Sequence, residues 1–364
     1  MGEWEERIGL VAMHQIRGVG WHTLDKLRRL GWDPGRQPTD AELNRWKREI
    51  PGGTVARIGE RWTADFIDKV DKELAVRQIQ PVTLLDEEYP PMLGQLPQPP
   101  WVLYVRGEVS LLSETCLAVV GSRKPTSYGR RVTRQLSREM AARGWTVVSG
   151  LATGVDGEAH RAALEAKGKT IAVMGCGVDV VYPRHHRDLY KKLVYEGAVV
   201  SEVPPGTEPH PGLFPQRNRI ISGLSYGTLV TEAAEKSGSL ITAHYSLEQG
   251  REVFSVPGLI TSALSRGTNQ LIQQGAKPIL QVEDILEEFP YLKPDPPRES
   301  ESPGKVAVSE AEDQLLALLK EEPIHLDQLA EHSGQPVTEI HQHLLSLQVK
   351  GLIRQLPGAQ FVRV

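Results

Sequence analysis

Between residues 117 and 280 the chain alternates short β-branched apolar runs with longer stretches whose apolar residues recur at helical spacing. The apolar runs at 117–120, 146–148, 170–174, 199–200, 228–231, 252–256 and 277–280 predict strands, and 129–142, 157–166 and 187–195 predict helices between them. Such alternation predicts an α/β fold, a parallel, doubly wound sheet with right-handed crossovers. Ligands of these sheets bind outside the carboxyl ends of the strands, at the switch point. Gly121-Ser122-Arg123, Ser149-Gly150, Gly175-Cys176-Gly177, Ser201-Glu202 and Pro257-Gly258 each follow one of the runs.

The pattern differs on either side. Residues 8–31 pair two amphipathic segments around Gly18-Val19-Gly20, with Arg17, Lys26, Arg28 and Arg29 nearby. That reads as a helix-hairpin-helix (SAM-like) unit, able to hold a DNA phosphate on glycine amides or to serve as a packing module. Helical patterns continue over 40–78, so a helical N-terminal domain is expected over 1–78. Residues 79–112 carry Val82-Thr83-Leu84-Leu85 and then prolines at 90, 91, 97, 99 and 100, which forbid a helix there; a strand is expected at 101–104, and the segment is expected to cover a sheet edge. The central domain then runs over 79–291. Residues 292–306, rich in Pro, Ser and charge, read as a linker. Residues 307–364 predict helices at 309–320, 326–333 and 337–350 and two strands around Pro357-Gly358, a C-terminal winged helix whose third helix is hardly basic.

The stretch 214–257 concentrates the candidate chemistry. Phe214, Arg217, Asn218 and Arg219 crowd what reads as a short loop before Ile220-Ile221, with Pro215 biasing Phe214 towards extended backbone. Lys236-Ser237-Gly238-Ser239 then opens a helix, with Ser239 as N-cap, where free amides suit an anion. Arg123 offers a phosphate fork. From Val119 to Arg138 the cations are Arg123, Lys124, Arg130, Arg131, Arg134 and Arg138, with no acid. The chain as a whole carries a net charge of −4, so any nucleic-acid site is a local patch. Guanidinium groups, helix N-termini and an aromatic ring are what a single nucleic-acid strand needs.

The blocks FPQRNR at 214–219, SGSLITA at 237–243, GREVFSVPG at 250–258, VVGSRKPTSYG at 119–129, SGLATGVDGEAH at 149–160, GVDVVYP at 177–183 and GTNQLIQQGA at 267–276 resemble the DNA-processing protein A family (DprA, also called Smf) over roughly residues 80–290. The resemblance implies an extended Rossmann-like central domain that binds single-stranded DNA in natural transformation, loads the RecA recombinase onto it, and forms a homodimer through the region of 269–274. On that reading Phe214 stacks on a base. Arg123, Arg217, Arg219 and Lys236 hold phosphates, helped by Ser122, Ser237, Ser239 and the amides of Gly121 and Gly238. Asn218 meets a base edge or braces the loop.

Other readings are weaker. No G-x-G-x-x-G follows the first strand of the alternating region and no P-loop occurs, against dehydrogenases and P-loop ATPases; no cofactor is expected. Gly227-Thr228-Leu229-Val230-Thr231-Glu232 resembles the G-T-x-x-E of nucleotide phosphoribohydrolases, although the carboxylate comes one residue late and the glycines before it are missing; an enzyme is the alternative, not the expectation. Asp156 and His160, at i and i+4, are expected to be a capping carboxylate and a buried histidine rather than half a metal site. His185, His186 and His210 are expected in solvated loops. The two cysteines, Cys116 and Cys176, sit in apolar or glycine-rich strand-end contexts, so no disulfide framework is expected, which fits a reducing cytosol. Neither a signal peptide nor an apolar run of about 20 residues is seen, so a cytoplasmic protein is expected.

Overall fold

The computed structural model describes residues 5–292, 309–319, 324–333, 336–350, 352–356 and 358–363. Contacts divide it into two compact units, 1–298 and 299–364.

In the first unit five helices precede the sheet: α1 (Glu6–Gln15), α2 (Trp21–Arg29), α3 (Asp40–Trp46), α4 (Gly52–Arg61) and α5 (Ala64–Val76). The turn between α1 and α2 requires Gly18, whose φ is +92° and where a Cβ would lie 2.7 Å from the Arg57 guanidinium. Capping fixes two of these helices: Thr39 and Glu42 form a reciprocal box on α3, and the Thr63 hydroxyl accepts from the Phe66 amide on α5.

The sheet has nine strands in the order β1-β2-β6-β5-β4-β3-β7-β8-β9. They are β1 (Gln80–Thr83), β2 (Val102–Gly107), β3 (Cys116–Val120), β4 (Thr146–Ser149), β5 (Thr170–Met174), β6 (Ala198–Ser201), β7 (Gly227–Val230), β8 (Glu252–Ser255) and β9 (Lys277–Pro278). Strands β3 to β9 are parallel, while β1 and β2 add antiparallel pairs that cover the β6 edge. Connecting helices are α6 (Pro91–Gly94), α7 (Ser127–Ala142), α8 (Val155–Glu165), α9 (Arg187–Glu196), α10 (Leu213–Gly223), α11 (Ser239–Glu248), α12 (Arg266–Gln273) and α13 (Glu283–Leu286). The chain steps from β3 out to β6 on one side and returns through β7 on the other, which puts the switch point at β3.

Four expectations change. The prolines of 79–112 do admit one helical turn, α6, because Pro91 stands in its first turn, where no amide is needed. The segment from Phe214 to Arg219 is helix α10, not loop; Pro215 sits in its first turn for the same reason. The N-cap of α11 is Gly238, and Ser239 is the first helical residue, its hydroxyl 2.8 Å from that of Ser237. The boundary expected at 78 is a change of secondary structure, not of core: Leu10, Val11, Leu24, Leu27 and Val70 share one apolar cluster with Trp101, Val102, Tyr104 and Leu189.

The second unit contains α14 (Glu310–Leu318), β10 (Ile324–His325), α15 (Leu326–Ser333), α16 (Val337–Val349), β11 (Ile353–Leu356) and β12 (Gln360–Arg363). Its antiparallel sheet runs β10-β12-β11 and its core holds Leu315, Leu329, Ile340, Leu344 and Phe361, a winged-helix arrangement. The linker expected over 292–306 lies outside the described residues but for Leu292.

Candidate nucleic-acid interface

At the end of β3 the chain turns through Gly121-Ser122-Arg123. The Ser122 amide donates to the Glu232 carbonyl at 2.7 Å, and the Ser122 hydroxyl accepts from the Lys124 amide at 3.1 Å. A Cβ on Gly121 would meet Val155 at 2.7 Å and that same carbonyl at 2.8 Å, so close backbone approach requires glycine. Arg123 is thereby held outward and exposed. Among the described residues it forms no ion pair, and its guanidinium carbon lies 6.0 Å from the centre of the Phe214 ring.

The loop after β4 is tied by Asp156, whose Oδ2 accepts from the amides of Gly150 (3.1 Å) and Ala152 (3.3 Å). After β5, Gly175 lets the Phe214 ring lie on the backbone: a Cβ there would be 2.8 Å from the ring edge. Tyr182 completes the corner, its ring 5.5 Å from that of Phe214 and tilted by 37°. Arg123, Gly150, Gly175, Tyr182, Phe214 and Arg217 line a pocket of about 50 Å³ at the carboxyl ends of β3, β4 and β5. That is space for a few waters or one phosphate group, since one water occupies roughly 10–15 Å³ measured this way. A whole nucleotide would have to lie across the mouth.

Arg217 is 7 % exposed and forms the floor. Its Nη1 donates to the carbonyls of Gly150 (2.8 Å) and Val173, and its Nε to Asn218 Oδ1 (3.2 Å). Burial pushes its pKa down to about 10, against the opposing pull of Asp156. Burial likewise raises Asp156, with Arg217 opposing. Arg217 therefore contributes a fixed positive charge beneath the pocket while its hydrogen bonds go to the backbone. Asn218, expected to meet a base edge or to brace a loop, is half-buried on α10, and its Oδ1 accepts from the Arg217 Nε.

The other expected residues lie elsewhere. Arg219 turns away, pairing with Glu202 and donating to the Gln98 carbonyl at 2.9 Å. Burial raises Glu202, and Arg219 pulls the other way. Lys236 and Gly238 are exposed and Ser237 half-buried at the start of α11; none of them lines the pocket. Arg134, in the acid-free run, pairs across helices with Glu158 and Glu165.

Glu232 is buried, and both carboxylate oxygens are engaged at 2.7 Å by Thr126, one by its amide and one by its hydroxyl. It borders a separate, more apolar hollow of about 630 Å³ with Tyr128, Pro257 and Leu259, whose lining holds no Lys or Arg. His160 is buried as expected, its Nδ1 2.7 Å from the Thr170 hydroxyl, and burial pushes its pKa down to about 3. His186 departs from the solvated loop expected for it. It is 3 % exposed and 3.0 Å from the Leu151 carbonyl, because Gly157 of α8 leaves room for its ring. Among the described residues no group of three or more His, Cys, Asp or Glu is placed to hold a metal. Tyr182 went unassigned in the sequence; its one signal is an aromatic residue beside a proline in a loop that follows a strand end.

Residues 80–290 match the family model described as DNA recombination-mediator protein A, and residues 294–359 the one described as DprA winged helix domain. Protein Smf of Escherichia coli (strain K12) is 46 % identical over 283 residues, which cover 76 % of this chain and 75 % of that one. Among solved structures, DNA processing protein A from Streptococcus pneumoniae superposes with a TM-score of 0.68 at 33 % identity, covering 79 % of this chain and 99 % of that one. DNA processing protein A from Helicobacter pylori, reported for its unique single-stranded DNA binding mode, gives a TM-score of 0.53 at 31 % identity, over 59 % and 98 % of the two chains.

Proposed function

The chain belongs to the DNA-processing protein A family, and on that premise we propose that it binds single-stranded DNA across the pocket of Arg123, Phe214 and Tyr182 and loads the RecA recombinase onto the strand during natural transformation. The observation that carries the site is an exposed guanidinium that has no ion-pair partner among the described residues, set over a ring at the carboxyl ends of the strands, above a second guanidinium fixed in the floor. One phosphate at Arg123 and one base on the aromatic pair is the combination a single strand offers. The small pocket volume favours a strand lying over the mouth rather than an enclosed nucleotide.

No catalytic step enters this reading. The Glu232 carboxylate is held by Thr126 on both oxygens, and the hollow beside it lacks a cation for a phosphate. Release of free base from nucleoside monophosphates by the purified protein would overturn that part. The homodimer proposed with it cannot rest on Leu271, which is buried against the sheet; Ile272, half-buried, is what the 269–274 segment has to offer a second copy. Sedimentation of Ile272→Glu at equal concentration tests it.

The strand site is tested by anisotropy titration of a labelled oligothymidylate against salt. Arg123→Ala is expected to weaken binding and to lower the slope of log K on log salt by about 0.7, the loss of one phosphate contact. Unchanged affinity and slope in a folded variant overturn the assignment. For RecA, the readout is its single-strand-dependent ATPase on DNA already coated with single-strand-binding protein, expected to start sooner with wild-type chain than with Arg123→Ala.

A further inference from the structure

Helix α9 sorts its charges by face. Asp188, Lys192 and Glu196 border one groove, towards α8, which Glu165 and Arg161 also line. Arg187, Lys191 and Tyr195 stand at i, i+4 and i+8 and border another, of about 280 Å³. Residues at that spacing form one stripe, about 12 Å long. Arg106 lies on the floor of this second groove, donating to the Tyr190 hydroxyl at 3.1 Å, with its Nε buried and unpartnered. The acid that borders the groove, Asp179, is neutralised by Arg77 at 2.8 Å and further held by the Gly206 amide at 2.7 Å. Among the described residues Arg187 and Lys191 form no ion pair, and Tyr195 is 87 % exposed. An unpaired cationic stripe ending in a bare aromatic ring is a single-strand track in miniature.

The groove adjoins the pocket already described. Val181 borders the groove and the next residue, Tyr182, borders the pocket. The turn between Tyr182 and α9 is rigid, since His186 is pinned to the Leu151 carbonyl and Tyr190 to the Val178 carbonyl at 2.6 Å. We propose that the strand leaving the Arg123–Phe214 pocket continues past Tyr182 along α9, with phosphates at Arg187 and Lys191 and a base on Tyr195. This extension rests on the single-strand reading of the pocket.

The test compares two oligothymidylates, about 4 and about 16 nucleotides long, the span of single-module site sizes. For the longer one, the double variant Arg187→Ser/Lys191→Ser is expected to lower the salt slope by about 1.4, two phosphate contacts. Tyr195→Ala is expected to weaken binding about fivefold or more with the slope unchanged. The short oligonucleotide is expected to bind both variants like wild type, and Lys192→Ser, on the neighbouring stripe that borders the other groove, to be silent at both lengths. Wild-type affinity and slope of the double variant for the long strand, with Arg123→Ala impaired, overturn the α9 path and leave the pocket standing. An equal loss at both lengths also overturns it, since α9 would then act on the pocket itself. If Arg123→Ala binds every length normally, the pocket reading fails and takes the extension with it.

Discussion

Replacing Phe214 with alanine separates a binding ring from a packing ring. The side chain is half-buried: its edge rests on Gly175, one face meets Tyr182 at 5.5 Å, and Arg123 stands 6.0 Å away. A fully buried Phe→Ala typically costs about 3–5 kcal/mol of stability. This ring is absent from the core clusters, so a cost of roughly 1–2 kcal/mol, well under that range, is expected. At about 2–4 °C per kcal/mol for a domain of 150–250 residues, and less for a larger one, melting falls by a few degrees at most. Loss of a base stack removes about 1–3 kcal/mol of binding, a weakening of roughly 5- to 150-fold. No charge is lost, so the salt slope stays at its wild-type value, the opposite of the signature of Arg123→Ala. Anisotropy titrations at several salt concentrations, paired with calorimetric melting, read both quantities. A variant that melts many degrees lower and binds normally refutes the stacking role and makes Phe214 a packing residue.

Gly175→Ala places a methyl group 2.8 Å from the Phe214 ring and is expected to weaken single-strand binding with the fold intact; binding equal to wild type in titration would show that the ring position does not matter. Arg217→Met is expected to lose stability rather than a phosphate contact, about 1–3 kcal/mol for each buried carbonyl left unpaired at Gly150 and Val173, read by urea denaturation. Thr126→Val strips a donor from the buried Glu232 carboxylate and should likewise lower the urea midpoint, with strand binding preserved at temperatures where the variant is folded. Acid should destabilise the protein through two histidines, the buried His160 and the half-buried His14. His160 is pushed down to about 3 and His14 to about 4, both by burial, so below the unfolded value near 6.5 the unfolded chain binds protons that the folded chain does not. Stability is then complete above pH 6.5 and declines by about 1.4 kcal/mol per pH unit for each such histidine until the folded values are reached. Denaturation curves at pH 7 and pH 5 check this, and His160→Asn should flatten the decline.

The alternation of apolar runs and helical stretches carried the sheet, because parallel strands covered on both faces are near-continuous apolar runs, as in the wholly buried β3 and in β5 after its first residue, Thr170. Their carboxyl ends, with Gly121, Arg123 and Gly175, followed from the same pattern. Side-chain destinations did not. Arg217 and Arg219 are two residues apart on one helix and point to different places, and only α10 itself, hidden by Pro215, reveals it. Tyr182 reaches the pocket from a loop whose course no periodicity encodes. His186 reads as solvated beside His185 because its burial depends on space left by Gly157, far away in the chain.

The core shared between the first five helices and the sheet bears on cooperativity. His14 is hydrogen-bonded to Tyr104 at 3.0 Å and Trp21 to the Pro99 carbonyl at 2.8 Å, and Arg7 forms an ion pair with Asp86 at 3.1 Å, all across the join. The helices therefore cannot melt while the sheet stays native, and residues 5–292 should give one calorimetric transition rather than two. The helical segment is for the same reason not an exchangeable module. A chain begun at residue 79 would bare Trp101, Val102 and Tyr104, apolar surface of the kind that drives self-association, and so would lose solubility before it lost any strand contact.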